Sequence, residues 1–374
     1  MMDTRLLNGM NRTYETLPSF PSTIRVVHGG AWRRSPPPLA LSEESLRQAA
    51  SRLLQTGSGG LVWRRLRDSK LKSTRIGREY QQAYRLNVLS AAHMEDSLQR
   101  AFAVLRAAQV EPILLKGWSV ARLYPETGLR PYGDHDLAVA PGRLGEALDV
   151  LSAIPGGFPE IDLHDGIPDL PGRSWAEVFA RSRCESLGDW TVRVLGAEDQ
   201  LALLAFHFIR HGAWPPLWLC DIAALVESLP ESFDWDSISS DPSLASAWTI
   251  PVIRLAEQLL GARAPSLPAN SEPPLPWLAS AVLWRWGVGK ERLPMAHYLR
   301  RPAEILRTCA YQWLDPLKVT VRLGIKPQRS LFLMHLLSLW GRPLLGIARL
   351  KRRAERIRDR QTLLPCEIHR SNAY

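Results

Sequence analysis

Two carboxylates stand two residues apart in the segment Gly133–Val139, whose sequence is GDHDLAV. In a β-strand, residues i and i+2 project to the same face, so Asp134 and Asp136 are predicted to lie side by side. Like charges at that spacing repel unless a cation neutralises them, and a divalent cation is the usual solution. Such pairs also occur in solvated loops, but the apolar residues after Asp136 predict that this pair begins a buried strand.

A Lys-Gly turn precedes this pair. Lys116 and Gly117 follow the apolar strand that ends at Leu115, and a helix over Trp118–Tyr124 is predicted to come next. Glycine permits close backbone approach, a helix N-terminus favours an anion, and lysine supplies a point charge, so the turn predicts contact with phosphate. It is not a Walker A loop. Arg130 is a candidate phosphate clamp, with a solvated loop arginine as the alternative.

A third carboxylate lies in a later apolar strand. Asp162 and His164 belong to the sequence IDLH, and the period of two places both on one face. Three clustered carboxylates can hold two Mg²⁺ ions roughly 3.5–4 Å apart, one bridging a triphosphate and the other lowering the pKa of an acceptor hydroxyl. Asp162 is then the candidate general base, and a surface strand residue is the alternative.

Two histidines, His207 and His211, stand four residues apart on one predicted helix. This is metal-ligand spacing, but the glutamate of the H-E-x-x-H motif is missing and no third ligand is evident. We favour helix packing, or lining of the cleft above the sheet, over a zinc site. Serine hydrolase chemistry has no support, because no G-x-S-x-G motif occurs.

The elements that position these residues alternate in type. A long helix over 75–108 is predicted to precede the strands, which are 110–115, 133–139, 158–164 and 190–195, with helices 118–124 and 143–153 between them. From residue 197 the pattern is helical, with segments 197–209, 217–229, 245–260, 277–286, 304–313 and 331–360. The expected class is therefore α+β, with a small mixed sheet, flanking helices and a C-terminal all-helical region.

Four regions follow from this pattern. They are a poorly ordered segment over 1–40, an N-terminal helical region over 41–108, a catalytic core over 109–196, and a helical domain over 197–374 with a basic C-terminal helix. Ser42 is the predicted N-cap of the first helix.

Composition narrows the class of protein. The chain has 374 residues and is 45% hydrophobic, which is enough for a substantial core. Its net charge is +10. Residues 349–360 hold seven basic and two acidic residues, which predicts either an anion-binding patch or, as we favour, a solvated helix. Four widely separated cysteines argue against a zinc ribbon or a disulfide framework and suit the cytoplasm. We see no secretory signal, transmembrane segment or recognised nucleic-acid-binding module.

Taken together, the motifs resemble the uncharacterised bacterial nucleotidyltransferase family of the DNA polymerase beta-like nucleotidyltransferase superfamily. The resemblance covers roughly Tyr84–Glu227. It rests on these segments: Leu114–Gly117, Leu123–Pro125, Arg130-Pro131, Asp134–Val139, Ile161–His164, Leu203–His211 and Leu217–Ile222.

The resemblance implies an enzyme that uses Mg²⁺ to transfer a nucleoside monophosphate from a nucleoside triphosphate (NTP) to a hydroxyl-bearing acceptor, releasing pyrophosphate. The acceptor is a small molecule, a peptide or a protein. The implied roles are metal ligands and catalytic carboxylates for Asp134, Asp136 and Asp162. The residues implied to line the phosphates of the donor nucleotide are Lys116, Gly117, Arg130 and, in place of the usual serine, Ser119. The residues implied near the cleft are His164, His207 and Asp221.

One spacing departs from the wider superfamily, because Asp134 lies seventeen positions after Gly117, a longer loop than usual. Two alternatives to nucleotidyl transfer onto such an acceptor stay open. One is a catalytically silent nucleotide-binding scaffold that recruits partners through its helical half and basic C-terminus. The other is an RNA-modifying nucleotidyltransferase.

Overall fold

The structure is a computed structural model that describes residues 20–167, 169–170, 173–241, 243–265, 267 and 274–288. Its helices are α1 (Phe20–His28), α2 (Glu43–Gln55), α3 (Gly59–Leu66), α4 (Arg75–Ala107), α5 (Trp118–Ala121), α6 (Leu144–Ser152), α7 (Trp175–Arg181), α8 (Ala197–Arg210), α9 (Leu217–Glu227), α10 (Asp236–Ser239), α11 (Leu244–Leu260) and α12 (Pro276–Val288), with a 3₁₀ turn at Lys70–Ser73. Its strands are β1 (Ile113–Leu114), β2 (His135–Val139), β3 (Ile161–Asp165), β4 (Arg183–Leu187) and β5 (Trp190–Val194).

The strands form one mixed sheet in the order β3-β2-β1-β5-β4. Strand β1 runs antiparallel to β2 and parallel to β5, whereas β2 and β3 are parallel. The predicted α+β class with a small mixed sheet and flanking helices is therefore confirmed. The helices predicted at 197–209, 217–229, 245–260 and 277–286 are also confirmed, as α8, α9, α11 and α12.

Strand β4 and helix α7 were not predicted. β4 is a polar edge strand with only Leu187 buried, so it lacks the apolar alternation by which strands are recognised. It forms a hairpin with β5 through Gly188 and Asp189, since Leu187 pairs with Trp190. That Gly-Asp dipeptide, with Gly188 at φ 60°, was the available signal for a two-residue turn.

The sheet lies between two apolar layers, and β2 is buried along its whole length. Leu137 and Val139 pack with Leu98 and Phe102 of α4 in one cluster. Ala138, between them, belongs instead to the cluster that includes α8 and α9. Successive strand residues alternate faces, so the even-numbered positions of β2 face the helical half of the protein.

The segment over 1–40 was predicted to be poorly ordered, and its described part includes helix α1. Helix α1 buries Ile24 and Val27, and Trp32 follows them into the same core. The segment is held to α9, because the guanidinium of Arg33 pairs with Glu227 at 2.6 Å. The apolar residues that make α1 amphipathic are few, and their burial depends on partners distant in sequence.

Ser42 is confirmed as the N-cap of α2, where its hydroxyl accepts a hydrogen bond from the Ser45 backbone N–H. The predicted helices over 304–313 and 331–360, including the basic segment 349–360, lie outside the described residues. Within the described ranges, no helix is long and apolar enough to cross a membrane. The division into four regions stays a prediction.

A buried histidine links α1 to the loop before α3. His28 is fully buried; its Nδ1–H donates to the Ile24 carbonyl at 2.9 Å, and the Ser58 hydroxyl donates to Nε2 at 2.8 Å. Burial lowers the pKa of His28 to about 4. A proton on Nε2 would replace this acceptor with a second donor and place a charge in the core.

We expect this histidine to make stability depend on pH. The unfolded chain takes up the proton near pH 6.5, whereas the folded protein takes it up only near pH 4. The stability is thus intact above pH 6.5 and is lost as the pH falls toward 4. At pH 5 the loss in the free energy of unfolding is about 2 kcal/mol. Urea unfolding at pH 7.5 and pH 5 measures it. The difference between the two pH values should shrink by that amount in His28→Gln, and an unchanged difference would contradict the assignment.

Candidate active site

A polar group lies where β2 and β3 run side by side. The parallel register pairs Asp136 with Asp162 and Ala138 with His164. Asp136 shares the face of Ala138, which is directed toward the helical half. Because paired residues of neighbouring strands project to the same side, Asp162 and His164 project there as well. The sheet register thus brings two of the three predicted carboxylates together.

The group is tightly connected. Lys116 Nζ lies 3.0 Å from Asp136 Oδ1, and His164 Nε2–H donates to the same oxygen at 3.1 Å. His164 Nε2 also lies 3.6 Å from Asp162 Oδ2. The other oxygen of Asp136, Oδ2, is buried and has no hydrogen-bond partner among the described residues. A buried acceptor without a partner is costly, and a bound cation is a partner that would satisfy this oxygen.

Charges around Asp136 determine its protonation. Burial raises the pKa of the carboxyl, but hydrogen bonds from His164 and Lys116 outweigh burial, and the net pKa is lowered. The reverse holds for His164, whose pKa is raised, first by its hydrogen bond to Asp136 and then by the charge of Asp162. Asp136 is therefore held ionised at neutral pH, as a metal ligand must be.

Among the described residues, one group of potential metal ligands has its donor atoms within 4.8 Å of one another: Asp136, Asp162 and His164. Asp134 is not in this group. It is exposed and precedes the first residue of β2, and its predicted role as a metal ligand stays a prediction. His164 was predicted only to lie near the cleft. Its position two residues after Asp162 on the same strand was the sequence signal that it would lie beside that carboxylate.

The Lys-Gly turn is closely packed against the start of β2. Gly117 has a φ of 70°, and a Cβ there would lie 2.9 Å from the backbone oxygen of Asp134. Only glycine fits both conditions. The helix that follows is the single turn α5, shorter than predicted, because the chain turns away after Ala121. Lys116 reaches the group from this turn.

Ser119 was predicted to stand on the phosphate side, but it is buried beneath the turn. Its exposed fraction is 1%, and its hydroxyl accepts a hydrogen bond from Gln200 of α8 at 2.9 Å. The hydroxyl is thus used to fasten α5 to the helical half. A side chain in that position has no access to a ligand in this structure.

Arg130 was also predicted on the phosphate side, and its guanidinium is engaged elsewhere. It forms a bidentate ion pair with Asp221 of α9, with Nη2 to Oδ2 at 2.8 Å. The hydroxyl of Tyr124 donates to Asp221 Oδ1 at 2.7 Å. Both charged groups are buried, so the pair is satisfied internally and joins the loop before β2 to the helical half. Asp221, predicted to lie near the cleft, belongs to this pair.

His207 lies in a second polar group at the end of α8. Its Nδ1–H donates to Asp169 Oδ2 at 3.1 Å, and Arg210 Nη1 lies 2.5 Å from Asp169 Oδ1. The rings of His207 and His211 are in contact, with their centres 4.3 Å apart and their planes tilted by 39°. Asp169 was missed in the sequence because it lies in an irregular segment after β3, with no periodic pattern around it. Among the described residues, neither His207 nor His211 belongs to a group of three potential metal ligands, which agrees with a packing role over a zinc site.

Searches of curated proteins and of solved structures found no match. A family model described as "Uncharacterised nucleotidyltransferase" matches residues 45–154 and 156–247. The matched residues are more than half of the chain and include the Lys-Gly turn, β2, β3 and the polar end of α8. The chain belongs to this uncharacterised nucleotidyltransferase family.

Proposed function

We propose that the protein is a metal-dependent enzyme that transfers a nucleoside monophosphate from an NTP to a hydroxyl-bearing acceptor and releases pyrophosphate. The observation that carries the proposal is the meeting of Asp136, Asp162 and His164 on one face of the sheet, with the buried Oδ2 of Asp136 unpartnered among the described residues. Family membership supports the reaction class.

The donor set fits a divalent cation. Two carboxylates and an imidazole nitrogen lie within 4.8 Å of one another, and Asp134 is a further carboxylate at the head of the same strand. We propose that Asp136, Asp162 and Asp134 hold Mg²⁺, with two ions as in other phosphoryl-transfer sites. When bound, the metal neutralises phosphate charge and lowers the pKa of the acceptor hydroxyl. His164 donates its Nε2–H to Asp136 and so orients that carboxylate. If a metal displaced this proton, the imidazole would add a ligand type that also suits Mn²⁺ and later transition metals.

The chain's own side chains have distinct tasks in this proposal. Lys116, 3.0 Å from Asp136, provides the positive charge for the donor phosphates. Asp162 is on the open side of the group, with 63% of its side chain exposed, so a bulky acceptor can reach it. Its carboxylate accepts the proton of the acceptor hydroxyl. The hydroxyl oxygen then bonds to the α-phosphorus, while the bond from that phosphorus to the pyrophosphate oxygen breaks.

In this proposal Arg130 and Ser119 do not contact the nucleotide. They hold the loop before β2 and helix α5 against the helical half, because the Arg130 guanidinium contacts Asp221 and the Ser119 hydroxyl contacts Gln200. The closeness of Asp162 to Asp136 supports transfer over a catalytically silent scaffold, because transfer needs carboxylates placed together to hold a metal ion and to accept a proton.

Binding and transfer of labelled nucleotides test the proposal. The protein is titrated with Mn²⁺ and with Mg²⁺·NTP, and is incubated with α-labelled NTPs and fractionated cell extract as the source of acceptor. We expect Asp162→Asn to abolish label transfer while Mg²⁺·NTP binding falls by less than tenfold. Asp165→Asn, on the same strand, is the matched control and should retain transfer. Wild-type protein that binds neither Mn²⁺ nor Mg²⁺·NTP would refute the proposal.

A further inference from the structure

Three rings form a cluster where α8 ends and α9 begins. We call His207, His211 and Trp218 the ring cluster. Trp218 lies 4.6 Å from His207 and 5.6 Å from His211, ring centre to ring centre, and its ring stands at 89° to that of His211. His207 is buried, Trp218 is half-buried and His211 is exposed. At its exposed end the cluster consists of the His211 ring set edge to face against the half-buried Trp218 ring, and we call these two rings the corner.

The ring cluster is held in place from below. Asp169, which is buried, accepts a hydrogen bond from His207 at Oδ2, and its Oδ1 forms an ion pair with Arg210 but has no hydrogen-bond partner among the described residues. His207 in turn supports the adjacent ring of His211. Rings fixed in this way lose little conformational entropy when a flat ligand binds.

Both imidazoles are uncharged at neutral pH. Burial lowers the pKa of His207, although Asp169 opposes the change, and desolvation lowers the pKa of His211 to about 4, helped by the charges of His207, Arg210 and Lys116. Removing water from the face of an uncharged ring costs little free energy. The corner therefore suits another aromatic ring better than an isolated phosphate.

Lys116 connects the ring cluster to the carboxylates. Its ammonium lies 3.0 Å from Asp136. Three residues later, Ser119 accepts a hydrogen bond from Gln200 of α8, the helix at whose end His207 and His211 lie. The charge of Lys116 contributes to the lowered pKa of both imidazoles. An NTP has a matching arrangement, because its triphosphate requires cations and its base requires a flat, weakly polar surface.

We propose that the corner formed by His211 and Trp218 is the site that binds the nucleobase of the NTP donor by stacking. This inference rests on the proposed function. The contacts that we propose are made by ring faces, and stacking on a ring face does not depend on the donors and acceptors at the edge of the base. Because every base has a π face, we expect the site to accept all four bases with affinities within about tenfold.

Comparison of nucleotides with a ligand that lacks the base tests this assignment. Dissociation constants are measured by calorimetry for the Mg²⁺ complexes of ATP, GTP, CTP, UTP and tripolyphosphate. In the wild type we expect the NTPs to bind about tenfold more tightly than tripolyphosphate. Trp218→Leu should remove that advantage and leave tripolyphosphate affinity unchanged, whereas Trp218→Phe, which keeps a ring, should retain most of it.

Two further variants complete the design. His211→Gln removes an exposed ring without opening the core, and should weaken NTP binding severalfold even if Trp218→Leu proves unstable. Trp190→Leu is the matched control, since Trp190 is 46% exposed on β5, and it should bind every ligand as the wild type does.

The outcomes separate the two proposals. If the wild type binds NTPs but Trp218→Leu and His211→Gln bind them unchanged, the nucleobase site is refuted and the proposed function stands. Equal weakening of tripolyphosphate would show that the cluster contacts phosphate, which also overturns the assignment. Wild-type protein that binds no NTP refutes the proposed function together with this inference.

Discussion

Replacing Asp136 with asparagine is expected to reduce nucleotidyl transfer at least about 1,000-fold, which corresponds to about 4 kcal/mol of transition-state stabilisation. Asp136 is buried, faces Lys116 and His164, and has one oxygen without a partner among the described residues. Asparagine has nearly the same shape but no charge, so it cannot neutralise a cation. Mn²⁺ affinity should fall together with the rate, because both depend on the same carboxylate.

The effect should be local. The circular dichroism spectrum should be unchanged. The thermal midpoint should fall only slightly, because Lys116 and His164, which lose their ion pairs with Asp136, are 21% and 24% exposed and can turn to water. Asp165→Asn is again the matched control; Asp165 ends β3 and accepts a hydrogen bond from the backbone N–H of Gly142 at 2.8 Å, away from the metal-ligand group. Full activity of Asp136→Asn, or equal damage from Asp165→Asn, would contradict the proposed role of Asp136.

Replacing Asp221 with leucine is expected to lower the free energy of unfolding by about 3–5 kcal/mol. The substitution leaves the guanidinium of Arg130 and the hydroxyl of Tyr124 buried without their shared acceptor. A buried charge without a partner is among the most damaging changes to a core. Urea unfolding followed by tryptophan fluorescence measures the loss.

A variant that removes the whole network distinguishes this mechanism from lost packing. Tyr124→Phe, Arg130→Met and Asp221→Leu together leave no stranded polar group, and should recover most of the stability. Glu44→Gln is the surface comparison, because Glu44 pairs with Arg47 in solvent, and should change stability by less than about 0.5 kcal/mol. Equal destabilisation by the single and triple variants would contradict the buried-charge explanation.

The triple variant also tests the role of Arg130. If Arg130 only holds the loop before β2 in place and does not contact the nucleotide, the triple variant should bind Mg²⁺·NTP with an affinity close to that of the wild type. A large loss of triphosphate affinity in a folded triple variant would instead support the phosphate contact predicted from the sequence.

The sequence by itself determined the class of fold and the residue types of the site. Alternation of short apolar runs with helical patterns predicted the mixed sheet, and the period of two placed Asp162 and His164 on one face. These are local properties, because strand periodicity and turn preferences depend on neighbours along the chain. The misses have two causes. Helix α1 is stabilised by contacts with residues distant in sequence, such as the hydrogen bond from Arg25 to the Leu259 carbonyl. Strand β4 has a partner close in sequence, but it is a polar edge strand without apolar alternation.

Only the tertiary structure decided which polar groups are available to a ligand. Arg130 and Ser119 have types that suit phosphate, yet α9 and α8 bring Asp221 and Gln200 within hydrogen-bond distance of them. In the same way, the register of β2 against β3 selected His164 as the neighbour of Asp136, and folding of the segment after β3 brought Asp169 to His207. The residue type fixes the chemistry of a side chain. Which of its polar atoms remain available to a ligand depends on hydrogen-bond and ion-pair partners that sequence spacing does not reveal.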